Sequence, residues 1–332
     1  MSWGGQFERD LVRFWIKPAA DACGVQFDAE AWEGDYGNLS ARIARGINNW
    51  DLVHVEAHYV RMPQATELFE SYPQRSLVTL EPAFGSTAQA VPVLQYAYVL
   101  AYLRNAKTAK HQIDWRTFWD VKQFPGNRAV RDFPVGNIEI ALMSEGLDVT
   151  EVLYKRGLPR ATIEAAVDRA LHRLDQLKLQ IVWWSTGDQL QRGLTTGDTP
   201  FAAAWSGRVL SAHRDRCATA AVADCDVQIN PATALVSTDS WIIPKNARNA
   251  TMANSLLECL YRPNATDGAK AFSEAQGYAV GIKGMRHGDP VVDYYLKAGS
   301  ALNSQATRLS EEFWGANYDW IADRWRLWRA AR

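Results

Sequence analysis

The sequence predicts an α/β protein of two lobes, and three observations lead there. Its 332 residues are more than one hydrophobic core of ordinary size usually organises. Short β-like apolar runs alternate with amphipathic helical stretches along the whole chain, as mixed α/β layers require. The apolar run from Val91 to Leu103 is long enough to pass from one lobe into the other. A single α/β domain fits the length too, but crossovers near Tyr98–Arg104 and near Val236–Asp239 explain the pattern better. Without a Gly/Ser-rich linker, the crossing strands themselves would act as hinges. The expected division is 1–101 with 239–285 for lobe I, and 102–238 with 286–332 for lobe II.

Each element follows from its apolar spacing. Phe7, Leu11, Phe14 and Trp15 recur at helical intervals and predict a helix over Phe7–Ala22. Val25–Phe27 reads as a brief strand, Tyr36–Ile47 as a helix and Trp50–Val55 as a strand. Glu56, His58 and Tyr59 follow that strand at its carboxyl end, where open α/β sheets bind ligands. Tyr96 lies in the long crossing strand. Helices are expected over Val135–Glu145 and Ile163–Leu179. A strand over Ile181–Trp184 ends at Ser185-Thr186-Gly187. Asn249–Tyr261, Ala269–Gln276 and Phe313–Trp328 complete the helical set.

Composition narrows the function. Lys plus Arg (36) nearly balance Asp plus Glu (37), so no global field attracts nucleic acid or an anionic membrane. No apolar run approaches the ~20 residues that cross a bilayer. The start lacks a basic region and an apolar signal core, which fits a cytosolic protein or one whose leader has been replaced by Met1. Phosphate-loop, dinucleotide, nucleophile-elbow and zinc-protease motifs are missing. No C-x-x-C spacing suggests a metal site, and no cofactor is expected. Cys217 and Cys225 flank a short alanine-rich segment that one disulfide could close. Cys23 and Cys259 read as core residues in apolar helices.

The most informative stretch runs from Phe201 to Pro244. An alanine-rich strand ends in Trp205, a turn and Arg208; further on, an apolar run breaks at Asp239. An indole face, a cation and an anion at strand edges suit a small charged ligand. Arg208 serves a rim ion pair with a neighbouring carboxylate equally well.

Eight segments in order resemble the periplasmic solute-binding proteins of ABC importers, in the branch with the spermidine/putrescine receptors. They are SWGGQFERDLVRFWIKPAADACGVQF, WDLVHVE, IDWRTFWDVKQFPGNRA, GNIEIALMSEG, IVWWSTGDQLQRGLTTGD, AAAWSGR, DSWIIPKNARN and FWGANYDWIADRWRLW. The resemblance implies a two-lobed type II binding fold with a ligand cleft between hinged lobes, a periplasmic location and delivery of cargo to a membrane permease. It implies a binding protein rather than an enzyme, and a monomer. It aligns Asp239 with an amine-pairing aspartate, Trp205 with a tryptophan flanking the alkyl chain, and Trp3, Tyr59 and Tyr278 with pocket aromatics. Glu139 stands near the second lobe's acidic ligands. Ser237 replaces a tryptophan, and Gly4-Gly5 replace a polar-acidic pair. Despite these departures, the resemblance implies a polyamine such as putrescine or spermidine as the solute. A zwitterion such as 4-aminobutyrate, selected by Arg208 with Asp239, is the alternative, and an α/β enzyme of unrecognised type is the remote one.

Overall fold

Valine- and alanine-rich runs bounded by turns become strands, because branched and small side chains pack well on a pleated surface. In chain order these are β1 (Val53–Glu56), β2 (Val91–Leu103), β3 (Arg128–Arg131), β4 (Ile181–Trp184), β5 (Phe201–Trp205), β6 (Val227–Ile242), β7 (Ala279–Val280) and β8 (Thr307–Arg308). The structure is a computed structural model describing residues 1–332 apart from 33, 73–76, 82–83, 86 and 332. The chain forms two compact units, Met1–Tyr96 with Ser237–Ser300 and Ala97–Val236 with Ala301–Arg332. β2 and β6 each start in one unit and end in the other.

In the first unit β1 runs antiparallel to the end of β6, with Val53 opposite Ile242 and Glu56 opposite Asp239. Directly opposed residues share a face and alternate residues do not. His54, Glu56, Asp239 and Trp241 therefore project to one side; Val53, Val55, Ser240 and Ile242 project to the other. β7 pairs with the start of β2. The N-terminal helical segment Gly5–Cys23 contains a π-helical stretch, Leu11–Ile16, and buries Phe7, Leu11 and Trp15. It packs on helices Ala250–Leu260 and Thr266–Gln276.

In the second unit the strand order is β2–β5–β3–β4, with β5 antiparallel to β2 and the other two pairs parallel. β8 adds parallel to β6. Helix Asn137–Ser144 packs on helix Arg160–Asp175, and helix Gly187–Thr196 on helix Ser206–Cys217. Arg128 is wholly buried, yet its guanidinium donates to the carbonyls of Phe118, Gly126 and Phe124. Burial lowers its pKa to about 10, and the three carbonyls make the charge tolerable there.

The mixed α/β class agrees with the sequence, and β2 and β4 occupy the expected runs. Several elements differ. Val25–Phe27 forms no strand, because Gly24 adopts a left-handed φ of 66° and the Val25 N–H closes the helix end on Ala20. Glu56 lies inside β1 rather than after it, and His58 and Tyr59 belong to the helical turn Ala57–Val60. Asp239 does not break a strand; β6 runs through it. Arg208 is in the first turn of helix Ser206–Cys217, not in a loop. Near the start of the chain, Ser2 and Ala31 form an isolated parallel bridge. Cys23 and Cys259 are not free core thiols but a disulfide with Cα atoms 6.5 Å apart, and Cys217–Cys225 forms a second.

Candidate functional site

In the first unit, Asp239 is the centre. Its position opposite Glu56 puts two carboxyl groups side by side on one face of the β1–β6 ladder. Trp3 Nε1 donates to Asp239 Oδ2 at 2.8 Å. His54 Nε2 is 3.1 Å from the same oxygen, turned off the straight hydrogen-bond line. Asp239 Oδ1 is buried and, among the described residues, has no hydrogen-bond partner. Burial raises the Asp239 carboxyl above the ordinary carboxylate range, and the Glu56 charge pushes the same way. The His54 and Trp3 contacts push it back down. A buried carboxylate with an open oxygen is a strong acceptor for a cation that brings its own donors.

Glu56 is differently placed. Its oxygens accept from the Tyr36 and Tyr96 hydroxyls at 3.1 and 2.9 Å. Tyr96 is thus a support for Glu56. Trp3 is half-buried and stacks on Trp32, with ring centroids 5.5 Å apart and planes inclined by 16°. Gly4 permits this approach: its φ is +68°, and a Cβ there would stand 2.9 Å from the Ala31 Cβ. His58 meets the edge of Tyr36. Tyr59 is fully buried, with its hydroxyl 2.7 Å from Ser40 Oγ and its ring on Tyr36 and Phe69. Tyr278 packs edge-on against Phe7, which in turn meets His54. Around Asp239 the structure sets Trp3 by a direct hydrogen bond and Glu56 as cross-strand neighbour, with Tyr96 on Glu56; His58 meets Tyr36, Tyr278 meets Phe7, and Tyr59 is packed in the interior.

In the second unit Trp205 ends β5 with one face half-buried. Trp184 meets it edge-on at 4.8 Å, and the Arg131 guanidinium lies over it at 4.8 Å and over Phe133 at 4.2 Å. Arg208 is nearly buried and donates from Nη1 to Asp188 Oδ1 at 2.9 Å. Its guanidinium rests so closely on Gly187 that a Cβ there would overlap it. Ser185 is exposed and bonded to Gln189 Oε1 as part of the cap of helix Gly187–Thr196. Glu139 is a separate matter. Its Oε2 accepts from the Gly136 N–H, and its Oε1 accepts from the Tyr154 hydroxyl and Trp314 Nε1. Burial raises this carboxyl while those bonds oppose the rise. These three donors make Glu139 the cap of helix Asn137–Ser144.

Sequence reasoning did not single out His54, Tyr36 or Arg131. The signal for His54 was present in Val53-His54-Val55-Glu56, where two polar residues alternate with two valines and so share one strand face.

Residues 16–297 match the family model of the bacterial extracellular solute-binding proteins. A gamma-aminobutyric acid-binding protein of Pseudomonas aeruginosa is 30% identical, over 99% of this chain and 90% of its own length. A solved GABA receptor superposes with a TM-score of 0.78 at 24% identity, covering 100% of this chain and 97% of that one. A spermidine/putrescine substrate-binding protein of Streptococcus pneumoniae gives 0.65 at 13% identity, covering 99% and 98%. The two solved structures share the two-lobed periplasmic binding-protein fold with this chain.

Proposed function

The chain belongs to the bacterial extracellular solute-binding proteins, as a solute-binding component of an ABC transporter, and from that premise we propose that its solute is a small zwitterionic amine of the 4-aminobutyrate class. The observation that carries the proposal is the buried Asp239 carboxylate with its open Oδ1 beneath the Trp3 indole. An alkylammonium there makes a charge-assisted hydrogen bond and rests its methylenes on the indole. The second charge distinguishes the candidates. A diamine needs another free carboxylate, but Glu56 is engaged by two phenols and Glu139 by three donors. A zwitterion needs no second carboxylate but a cation for its acid group. The Pseudomonas relative, a gamma-aminobutyric acid-binding protein, points the same way. Capture in the periplasm for a membrane permease completes the proposal, and four bridged cysteines suit that oxidising compartment.

Calorimetry with 4-aminobutyrate, butylamine, butyrate and putrescine tests this. The zwitterion should bind at least about tenfold tighter than the diamine, a difference of ~1.4 kcal/mol. Asp239→Asn should cancel the advantage of 4-aminobutyrate over butyrate. Tight putrescine binding without 4-aminobutyrate binding would restore the polyamine reading.

A further inference from the structure

His54 belongs to no ligand contact named so far, yet it is the most enclosed polar side chain beside Asp239. It is 0% exposed, its ring walled by Trp3, Phe7 and Trp241 at centroid distances of 5.6, 5.6 and 4.8 Å. Neither ring nitrogen has an aligned hydrogen-bond partner among the described residues; its polar neighbour is Asp239 Oδ2 at 3.1 Å. An imidazole sealed in apolar rings with one carboxylate contact and no other satisfied nitrogen is an expensive arrangement unless that contact has a use.

We infer that His54 is a positioning residue for the amine: it holds Asp239 through Oδ2, turns Oδ1 toward the ammonium, and competes with the solute for Asp239 once it is protonated. The inference rests on the amine reading above. Trp3 and His54 both approach Oδ2, so the two oxygens of Asp239 are unequal and the open one is fixed in place. Among the described residues, the charged and titratable groups around the pair include the Met1 ammonium, lowered by burial to about 6, on the residue whose carbonyl accepts from the His54 N–H. Asp239 faces the ring from β6, and Glu56 lies two residues along β1, held by Tyr36 and Tyr96. From the N-terminal helix, Glu8 accepts from Ser2, and Asp10 accepts from Gln6 and Gln276. Tyr278 meets Phe7, which in turn meets the His54 ring. Neither His54 nor Asp239 pairs with a lysine or arginine among the described residues.

With His54 neutral, the Asp239 charge is available to the ammonium. With His54 protonated, the imidazolium already neutralises Asp239, and an ammonium would make a second buried cation for one carboxylate. Binding in acid then requires a proton to leave His54 for solvent, so affinity falls as pH drops.

The test is calorimetric titration with 4-aminobutyrate between about pH 5.5 and 8.5, on the parent and on His54→Gln, whose amide donates but does not titrate in that range. The parent should weaken about tenfold from about pH 7.5 to 5.5, and the variant by less than about threefold. Superimposable profiles overturn the inference, because Asp239 alone would then carry the pH dependence. A uniform loss at every pH overturns it too, as a merely structural effect. Should His54→Gln show no cooperative melting, the parent still decides: titration in buffers of different ionisation enthalpy should read about one proton released in acid and none in alkali, and no release in acid refutes the idea. Failure of the parent to bind 4-aminobutyrate sinks the amine reading and this inference together. Binding with unchanged profiles sinks this inference alone.

Discussion

At the scale of the residue, Asp239 sets function against stability. Its folded carboxyl is held above the usual range, chiefly by burial, so protonation favours the ligand-free fold. The sign follows from linkage: this group's stability is fully present below the unfolded aspartate value of about 3.9 and is lost as pH rises through the elevated folded value. Asp239→Asn should therefore melt about 2 °C higher than the parent at neutral pH without ligand, with the difference vanishing near pH 3. The same variant should bind 4-aminobutyrate at least about 30-fold more weakly, through the lost charge-assisted bond. Scanning calorimetry over pH, alongside a binding titration, reads both; a variant less stable than the parent at pH 7 contradicts the burial argument. Asp239, Trp3 and Trp205 were singled out by a collinear resemblance, and the structure adds the contact of Trp3 with Asp239. His54 and Arg131 were not singled out, since the partners they meet lie far along the chain: Asp239 for His54, Trp205 for Arg131.

At the scale of the element, two features separate architecture from recognition. Glu139 meets three donors at the start of helix Asn137–Ser144, so Glu139→Ala leaves a backbone N–H, a phenol and an indole without their acceptor. The loss should be about 3 kcal/mol or more of unfolding free energy, with solute affinity changed by less than about twofold. Urea denaturation and calorimetry check the pair of values; a large affinity loss in a folded variant would return Glu139 to the binding site. The disulfides differ in what they constrain. Cys23–Cys259 ties helix Lys17–Cys23 to helix Ala250–Leu260 across a separation of 236 residues, whereas Cys217–Cys225 closes one of 8. Loop-closure entropy assigns them roughly 5 and 2.5 kcal/mol. Cys23→Ala/Cys259→Ala should thus lower the urea midpoint more than Cys217→Ala/Cys225→Ala, and the reverse order would refute that reasoning. The short bridge could be anticipated from spacing. The long one could not, because nothing local relates Cys23 to Cys259 until the two helices pack. Strands β2 and β4 were visible as uninterrupted apolar runs, while the unpaired fate of Val25–Phe27 was decided by the helix cap at Gly24.

At the scale of the whole molecule, charge is nearly balanced, with a formal net charge of -1. Such a chain has no long-range field to draw an ion toward it, so selectivity has to reside in the few buried charges. Asp239 is 5% exposed, Arg208 4% and Arg131 7%. Salt screens exposed charges beyond about 10 Å at 0.1 M but acts far less on buried pairs. If the solute is gripped by the buried Asp239 carboxylate, its affinity should change by less than about threefold between ~10 mM and ~300 mM salt, and its association rate should be equally indifferent. Stopped-flow fluorescence from the tryptophans near Asp239 and Trp205 can follow both. A fall of about tenfold or more across that series would mean that exposed charges hold the solute, and the assignment to Asp239 would fail.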